Sequence, residues 1–195
     1  MLKKLTIRNF KAIQDMTIEF TPLTVLIGEN ACGKSTVLQA LDFLRSAASR
    51  DILEYLRERK WPLAELKNQC NDGQNKPIEF VSLFEFVIAE KIVQVEWLLL
   101  VNFEKNKWVI QELININGES VISYGKLPIA DEELPAQDIP NPFKAIKLES
   151  SLLKIVDDYL SMEENEFTLM PIMALKDFLK FSSNYELLSP ELMRS

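Results

Sequence analysis

LTVLIGENACGKSTVLQALDFL, residues 23–44, holds three patterns in succession. Leu23 to Ile27 is a short, nearly all-apolar β run, the composition of a strand covered on both faces. Gly28 to Ser35 matches G-x-x-x-x-G-K-[ST] in full. From Lys34 to Ala48, the residues Val37, Leu38, Leu41, Leu44, Ala47 and Ala48 recur at three- and four-residue spacings, which predicts an amphipathic helix. Strand, glycine loop and helix in this order predict a mixed α/β fold built on a phosphate-cradling loop.

The spacing has a physical cause. Several backbone N–H groups must converge on one anion, and Gly28 and Gly33 can take the backbone conformations this demands. The helix starts at the loop, so its partial positive charge points at the same place. Lys34 is expected to reach the β- and γ-phosphates, and the Ser35 hydroxyl is a hard oxygen ligand suited to Mg²⁺. Thr36 adds a hydroxyl for the α-phosphate. Gly28, Glu29, Asn30, Ala31, Cys32, Gly33, Lys34, Ser35 and Thr36 are therefore the candidate ligands of ATP, with Ser35 the candidate metal ligand. Cys32 fills a free position of the motif, where a small residue suits a tight loop.

Working outward, Leu5, Ile7 and Phe10, then Met16, Ile18 and Phe20, alternate with polar partners and read as two strands ahead of the loop. Residues 51–59 read as a second helix. Residues 67–77 form a polar stretch with a turn signal at Asp72-Gly73. From Ile78 the period changes to two. Ile78, Phe80, Ser82, Phe84, Phe86 and Ile88 share a face, as do Val93, Val95, Trp97, Leu99, Val101 and Phe103, and Trp108, Ile110, Glu112 and Ile114 continue the pattern. Short polar connections at Glu90-Lys91, 104–106 and Asn117-Gly118 predict an antiparallel meander. Prolines 128, 135, 140 and 142 among acidic residues mark a linker. Helices are expected over 145–162 and 171–181, with Pro171 as the first helical residue. The organisation expected is a loop-bearing core over 1–66, an antiparallel β subdomain over 67–124, an acidic linker over 125–144 and a helical segment over 145–195.

Composition narrows the chemistry. The 195 residues include 22 Lys plus Arg, 29 Asp plus Glu, no His and two Cys, with a net charge of −7 and 47% hydrophobic residues. A chain without histidine has no His-bearing triad and no His metal ligand. Two cysteines, Cys32 and Cys70, are too few for a disulfide scaffold or a four-cysteine zinc site. Residues 1–60 carry ten basic and seven acidic side chains, against twelve and twenty-two in the rest, so phosphate handling belongs at the front. The acidic remainder argues against this segment wrapping nucleic acid. With no apolar leader and no apolar run near the roughly 20 residues of a membrane helix, a cytoplasmic protein without a membrane partner is expected.

LTIRNFKAI (5–13), MTIEF (16–20) and the stretch from Leu23 to Leu44 resemble the N-terminal end of the SMC/RecF/OLD-like ATPases, relatives of ABC-type nucleotide-binding domains that are often grouped with AAA-family ATPases. Such proteins open with a strand ending in an Asn-Phe-Lys/Arg turn, here Asn9-Phe10-Lys11. They carry Asn two residues after the first loop glycine, here Asn30. Many have glycine where Ala31 stands. The resemblance implies an N-terminal P-loop lobe, ATP and Mg²⁺ as cofactors, and head-to-head dimerisation driven by ATP. It brings Arg8, Asn9 and Lys11 toward the nucleotide, and makes Gln69 or Gln74 a metal or water contact.

The same resemblance implies parts that the residues do not supply. A Walker B strand, four apolar residues before Asp-Glu, is imitated by Leu98 to Val101, which leads to Asn102, Phe103 and Glu104 without the Asp. Leu152 to Val156 precedes Asp157 and Asp158, but Leu148, Leu152, Ile155 and Tyr159 share a helical face there. The last glycine is Gly125, so no glycine-bearing signature motif follows it. The catalytic carboxylates are therefore expected in a C-terminal lobe of the same parent protein, together with any nucleic-acid contacts. Two alternatives are a P-loop regulatory module that never hydrolyses ATP and a small P-loop kinase. The second is opposed by the lack of any arginine between residues 60 and 193.

Overall fold

The structure, a computed structural model, describes residues 1–30, 32–62, 65–69, 76–104, 107–124, 151, 153–154 and 166–181. Six strands, β1 (Leu2–Phe10), β2 (Ile13–Glu19), β3 (Ile78–Ile88), β4 (Lys91–Glu104), β5 (Lys107–Ile116) and β6 (Glu119–Tyr124), accompany three helices, α1 (Lys34–Ser49), α2 (Ile52–Glu58) and α3 (Glu166–Phe181). The strands form one antiparallel sheet in the order β2-β1-β3-β4-β5-β6. The first two strands are thus continuous with the meander.

Period-two alternation puts the apolar set on one face. Ile7 pairs with Phe80, Ser82 with Trp97, and Trp97 with Ile114. The residues read from the sequence as two alternating sets on β3 and β4 therefore share one side of the sheet. Helix α1 buries Val37, Ala40, Phe43, Leu44 and Ala47 in the same core. Phe43 stacks on Phe80 at 5.4 Å, and Phe10 meets both rings. Helix α3 adds Ile172, Leu175 and Leu179, and its Phe178 meets Phe84 edge-on. The hairpins turn on residues with positive φ, Ala89-Glu90 between β3 and β4 and Asn117-Gly118 between β5 and β6. The first lies one residue earlier than the polar pair Glu90-Lys91. These are the left-handed conformations that two-residue hairpins require.

Two buried carboxylates are fully engaged. Asp42 on α1 accepts hydrogen bonds from Arg45 (2.9 Å), Tyr55 (2.7 Å) and Arg59 (2.5 Å). Burial, reinforced by Asp42, drives the Tyr55 phenol well above its usual range. Glu112, on the apolar face of β5, accepts from Trp97 Nε1 and from Ser151 Oγ, which ties the segment around Ser151 to the sheet.

Helix α2 is closed at both ends by local chemistry. Asp51 caps it, accepting from the Glu54 amide at 3.0 Å. At the other end Lys60 is left-handed, and the amides of Lys60 and Trp61 return to the carbonyls of Arg57 and Leu56. That double closure is a Schellman motif. Asp51→Ala is expected to cost about 1 kcal/mol, read as a lower urea midpoint with an unchanged slope.

Two expectations are corrected, and a third lies mostly outside the described residues. Residues 23–27 pair with no strand among the described residues, and Leu23, Val25 and Ile27 are 82%, 69% and 88% exposed. Hydrophobicity marks a segment that suits a buried strand, whereas a strand exists only when a neighbour offers hydrogen bonds. Pro171 lies inside α3, which begins five residues earlier. One backbone bond is forfeited there, and burial of Ile172, Leu175 and Leu179 outweighs it. Of the helix expected over 145–162, only Leu153 and Lys154 are described as helical. Asp157 and Asp158 lie outside the described residues. Leu98 to Val101 is the middle of β4, paired on both sides within the antiparallel sheet.

Candidate functional site

The loop between residues 27 and 34 meets α1 at Gly33, which is the helix N-cap with φ 99°. The first helical bond runs from the Val37 amide to the Gly33 carbonyl. No side chain caps this end, and no acidic residue occupies the first turn. The first amides of α1 and its positive pole are therefore left to an external anion. At the loop's other end, a Cβ on Gly28 would lie 2.9 Å from Cys32 Sγ at a φ of 153°. Only glycine fits that backbone without displacing the thiol.

Lys34 folds back over the loop. Its Nζ donates to the carbonyls of Gly28 (2.7 Å) and Glu29 (2.6 Å) and lies 3.6 Å from Cys32 Sγ. The ammonium is thus held at the mouth of the loop by backbone oxygens. The hydroxyl-bearing Ser35 is exposed, whereas Thr36 is buried. Glu29, Asn30 and Cys32 are exposed around the loop, and Ala31 lies outside the described residues.

A second group of residues adjoins the helix. Asn9 and Lys11, both with positive φ, form the turn between β1 and β2. The turn is pinned to the segment that follows α2. The Lys11 amide donates to Leu66, Asn68 donates to the carbonyls of Asn9 and Lys11, and the Asn9 side chain donates to Lys76 and Pro77. Lys11 Nζ donates to Gln39 of α1 at 3.0 Å and lies 3.0 Å from the centre of the Trp61 indole. Burial lowers the Lys11 ammonium to about 8, with Glu65 opposing the shift and Arg59 adding to it. Ile13, at the start of β2, would be 3.6 Å from a Cβ on Gly33. The turn therefore flanks both the loop's end and the second turn of α1.

The candidate residues divide accordingly. Gly28, Glu29, Cys32, Gly33, Lys34, Ser35 and Thr36 surround one loop. Lys11 and Gln69 line one cleft beside α1. Arg8 points to the opposite face of the sheet, where Asp15 and Glu79 hold its guanidinium. Gln74 lies outside the described residues. Sequence reasoning missed Gln39 and Trp61. Gln39 sits inside an apolar-periodic helix, and nothing in the pattern says that Trp61 faces Lys11.

The sequence profile of the AAA ATPase domain matches residues 1–187. Among curated relatives, the OLD nuclease of Thermus scotoductus is 41% identical over 44 residues, covering 23% of this chain and 8% of that protein. The replication and repair protein RecF of Nostoc punctiforme is 45% identical over 49 residues, 25% of this chain and 13% of its own length. The repair protein RecN of Xylella fastidiosa is 37% identical over 73 residues, 36% of this chain and 12% of its own. The matches thus span about a tenth of each relative. Among solved structures, a chain from work on SMC ATPases gives a TM-score of 0.42 at 21% identity, over 62% of this chain and 72% of that one. With a complete P-loop motif at the start of α1 and a family match over nearly its whole length, the chain belongs to the AAA ATPase domain family, and over part of its length it is similar to OLD, RecF and RecN proteins.

Proposed function

We propose that this chain is the ATP-binding lobe of an SMC/RecF/OLD-like ATPase and that it takes ATP with Mg²⁺ on the loop Gly28–Ser35. The observation that carries the reading is the uncapped start of α1 at a left-handed Gly33, with no acid in its first turn and the Lys34 ammonium held beside it. The residues present fit a triphosphate. Loop and helix amides orient its oxygens, Lys34 neutralises charge, and the exposed Ser35 hydroxyl is a hard oxygen donor for the metal. Bound Mg²⁺ supplies charge neutralisation on the β- and γ-phosphates.

Catalysis needs groups beyond this loop. The reading assigns them to a C-terminal lobe of the parent protein and to a second head in an ATP-bridged homodimer. The exposed apolar run Leu23, Val25 and Ile27, which leads straight into the loop, supports a further β partner beside it. Contacts with nucleic acid, if the parent makes them, lie outside this acidic segment. The cytoplasm, where ATP is plentiful and thiols stay reduced, suits this chemistry. The alternative, a P-loop module that binds but does not hydrolyse ATP, shares every contact above and differs in turnover alone.

Ser35→Ala tests the metal assignment. It is expected to weaken ATP binding in Mg²⁺ by about tenfold, one hydrogen-bonding ligand's worth, and to change binding in EDTA little. Equal losses in the two titrations would remove the role.

A further inference from the structure

We propose that Glu112 is a clasp that closes residues 125–150 off as a side excursion of the sheet, so that this segment can be shortened or cut while the rest of the chain keeps its packing. The clasp owes nothing to the nucleotide loop, since none of its bonds involves residues 28–35.

The chain leaves the sheet at Tyr124, the end of β6, and Ser151 is the next described residue. Both points adjoin one side chain. Tyr124 is the cross-strand partner of Glu112, and the Cα atoms of such partners lie about 4.5–5.5 Å apart. Ser151 donates from Oγ to Glu112 Oε1 at 2.6 Å. Tyr124 and Ser151 are therefore within roughly 15 Å of each other, a span that about five extended residues cover. A linker between separate bodies has its ends where those bodies are. Here the two ends are a carboxylate's reach apart on one sheet.

The return point is fastened from several directions. Glu112 is fully buried, and its Oε1 also accepts from Trp97 Nε1 at 2.9 Å, so β4 helps to hold the acceptor in place. The Ser151 hydroxyl accepts in turn from the Leu153 amide at 3.1 Å, and the Ser151 carbonyl accepts from the Lys154 amide at 3.1 Å. Ser151 thus caps the helical start at Leu153 and Lys154 while it donates to Glu112. Leu153 is fully buried in the main core. Burying a carboxylate is costly unless donors meet it, so the closed clasp is what makes the burial of Glu112 tolerable. Tolerance of a change in the chain follows the burial and bonding of the backbone it touches, and here those bonds lie at Tyr124 and from Ser151 onward.

The test has two arms, both without nucleotide, so that its outcome is separate from that of the P-loop reading. In the first, residues 127–148 of the full chain are replaced by about six or about twelve Gly and Ser residues. At least one replacement is expected to unfold at or above the wild-type thermal midpoint, because a shorter loop costs less entropy to close. Midpoints below wild type by more than a few degrees in both, or loss of folding in both, overturn the excursion. In the second arm, amide hydrogen exchange is followed in wild type and in Glu112→Leu, which removes the acceptor and keeps an apolar side chain of similar size. The amides of Leu153 and Lys154 are expected to exchange about tenfold faster or more, while those of β3 keep their rates. Ser151→Ala, read at Lys154, carries this arm if Glu112→Leu does not fold. Unchanged exchange at the return point, or equal acceleration in β3, overturns the clasp.

Discussion

Lys34→Ala is expected to weaken ATP–Mg²⁺ binding by about 10²–10³-fold, or roughly 3–4 kcal/mol, the loss typical of one charged donor in a preorganised anion site. The side chain touches only the loop. It donates to the Gly28 and Glu29 carbonyls and to no residue of the core. Those carbonyls are exposed to water, so their loss of a partner costs at most about 1 kcal/mol. Binding and stability should therefore separate. Calorimetric titration should show the affinity collapse, while the thermal midpoint stays within a few degrees of wild type. An unchanged affinity would sink the P-loop assignment. A collapsed fold would show instead that Lys34 organises the loop in the absence of a ligand.

Residues 1–195 alone are expected to turn ATP over at close to the uncatalysed rate. Phosphoryl transfer is mostly positioning and electrostatics, and this loop addresses the phosphates only. An acidic metal ligand, a carboxylate that orients water and a group that covers the γ-phosphate are each worth about 10²–10³ in rate. Groups acting as a unit are not additive, and their combined absence leaves near-background turnover. A phosphate-release assay under multiple-turnover conditions checks this. Robust activity that is removed by Asp157→Asn would make the chain a complete enzyme and Asp157 its carboxylate.

The loop from Gly28 and the helix behind it were legible from one stretch of residues because their geometry is local. Gly28 and Gly33 meet backbone demands, Lys34 and Ser35 are adjacent in sequence, and the helix behind them announces itself by its period. The meander was legible for a similar reason, since alternation from Ile78 to Ile114 fixes which side chains share a face. Pro171 misled because propensity assigned it to a helix start, while the burial of Ile172, Leu175 and Leu179 carries α3 through it. Leu23 to Ile27 misled because hydrophobicity reports what a strand would prefer and not who pairs with it.

What the sequence by itself determined is the set of contacts among near neighbours: the loop, the α1 stripe and the period of the strands. What only the tertiary structure decided is every pairing across long separations. The β1–β3 ladder makes one sheet of strands more than sixty residues apart in the chain. The Asn9–Lys11 turn meets segments 66–68 and 76–77 and the Gln39 side chain. Trp61 comes to lie against the Lys11 ammonium. Periodicity records the direction of a side chain relative to its own element, and such encounters depend on how elements close on one another. That closure is settled by the shared burial of Phe10, Phe43 and Phe80, an energy that belongs to the assembled core and to no single stretch of chain.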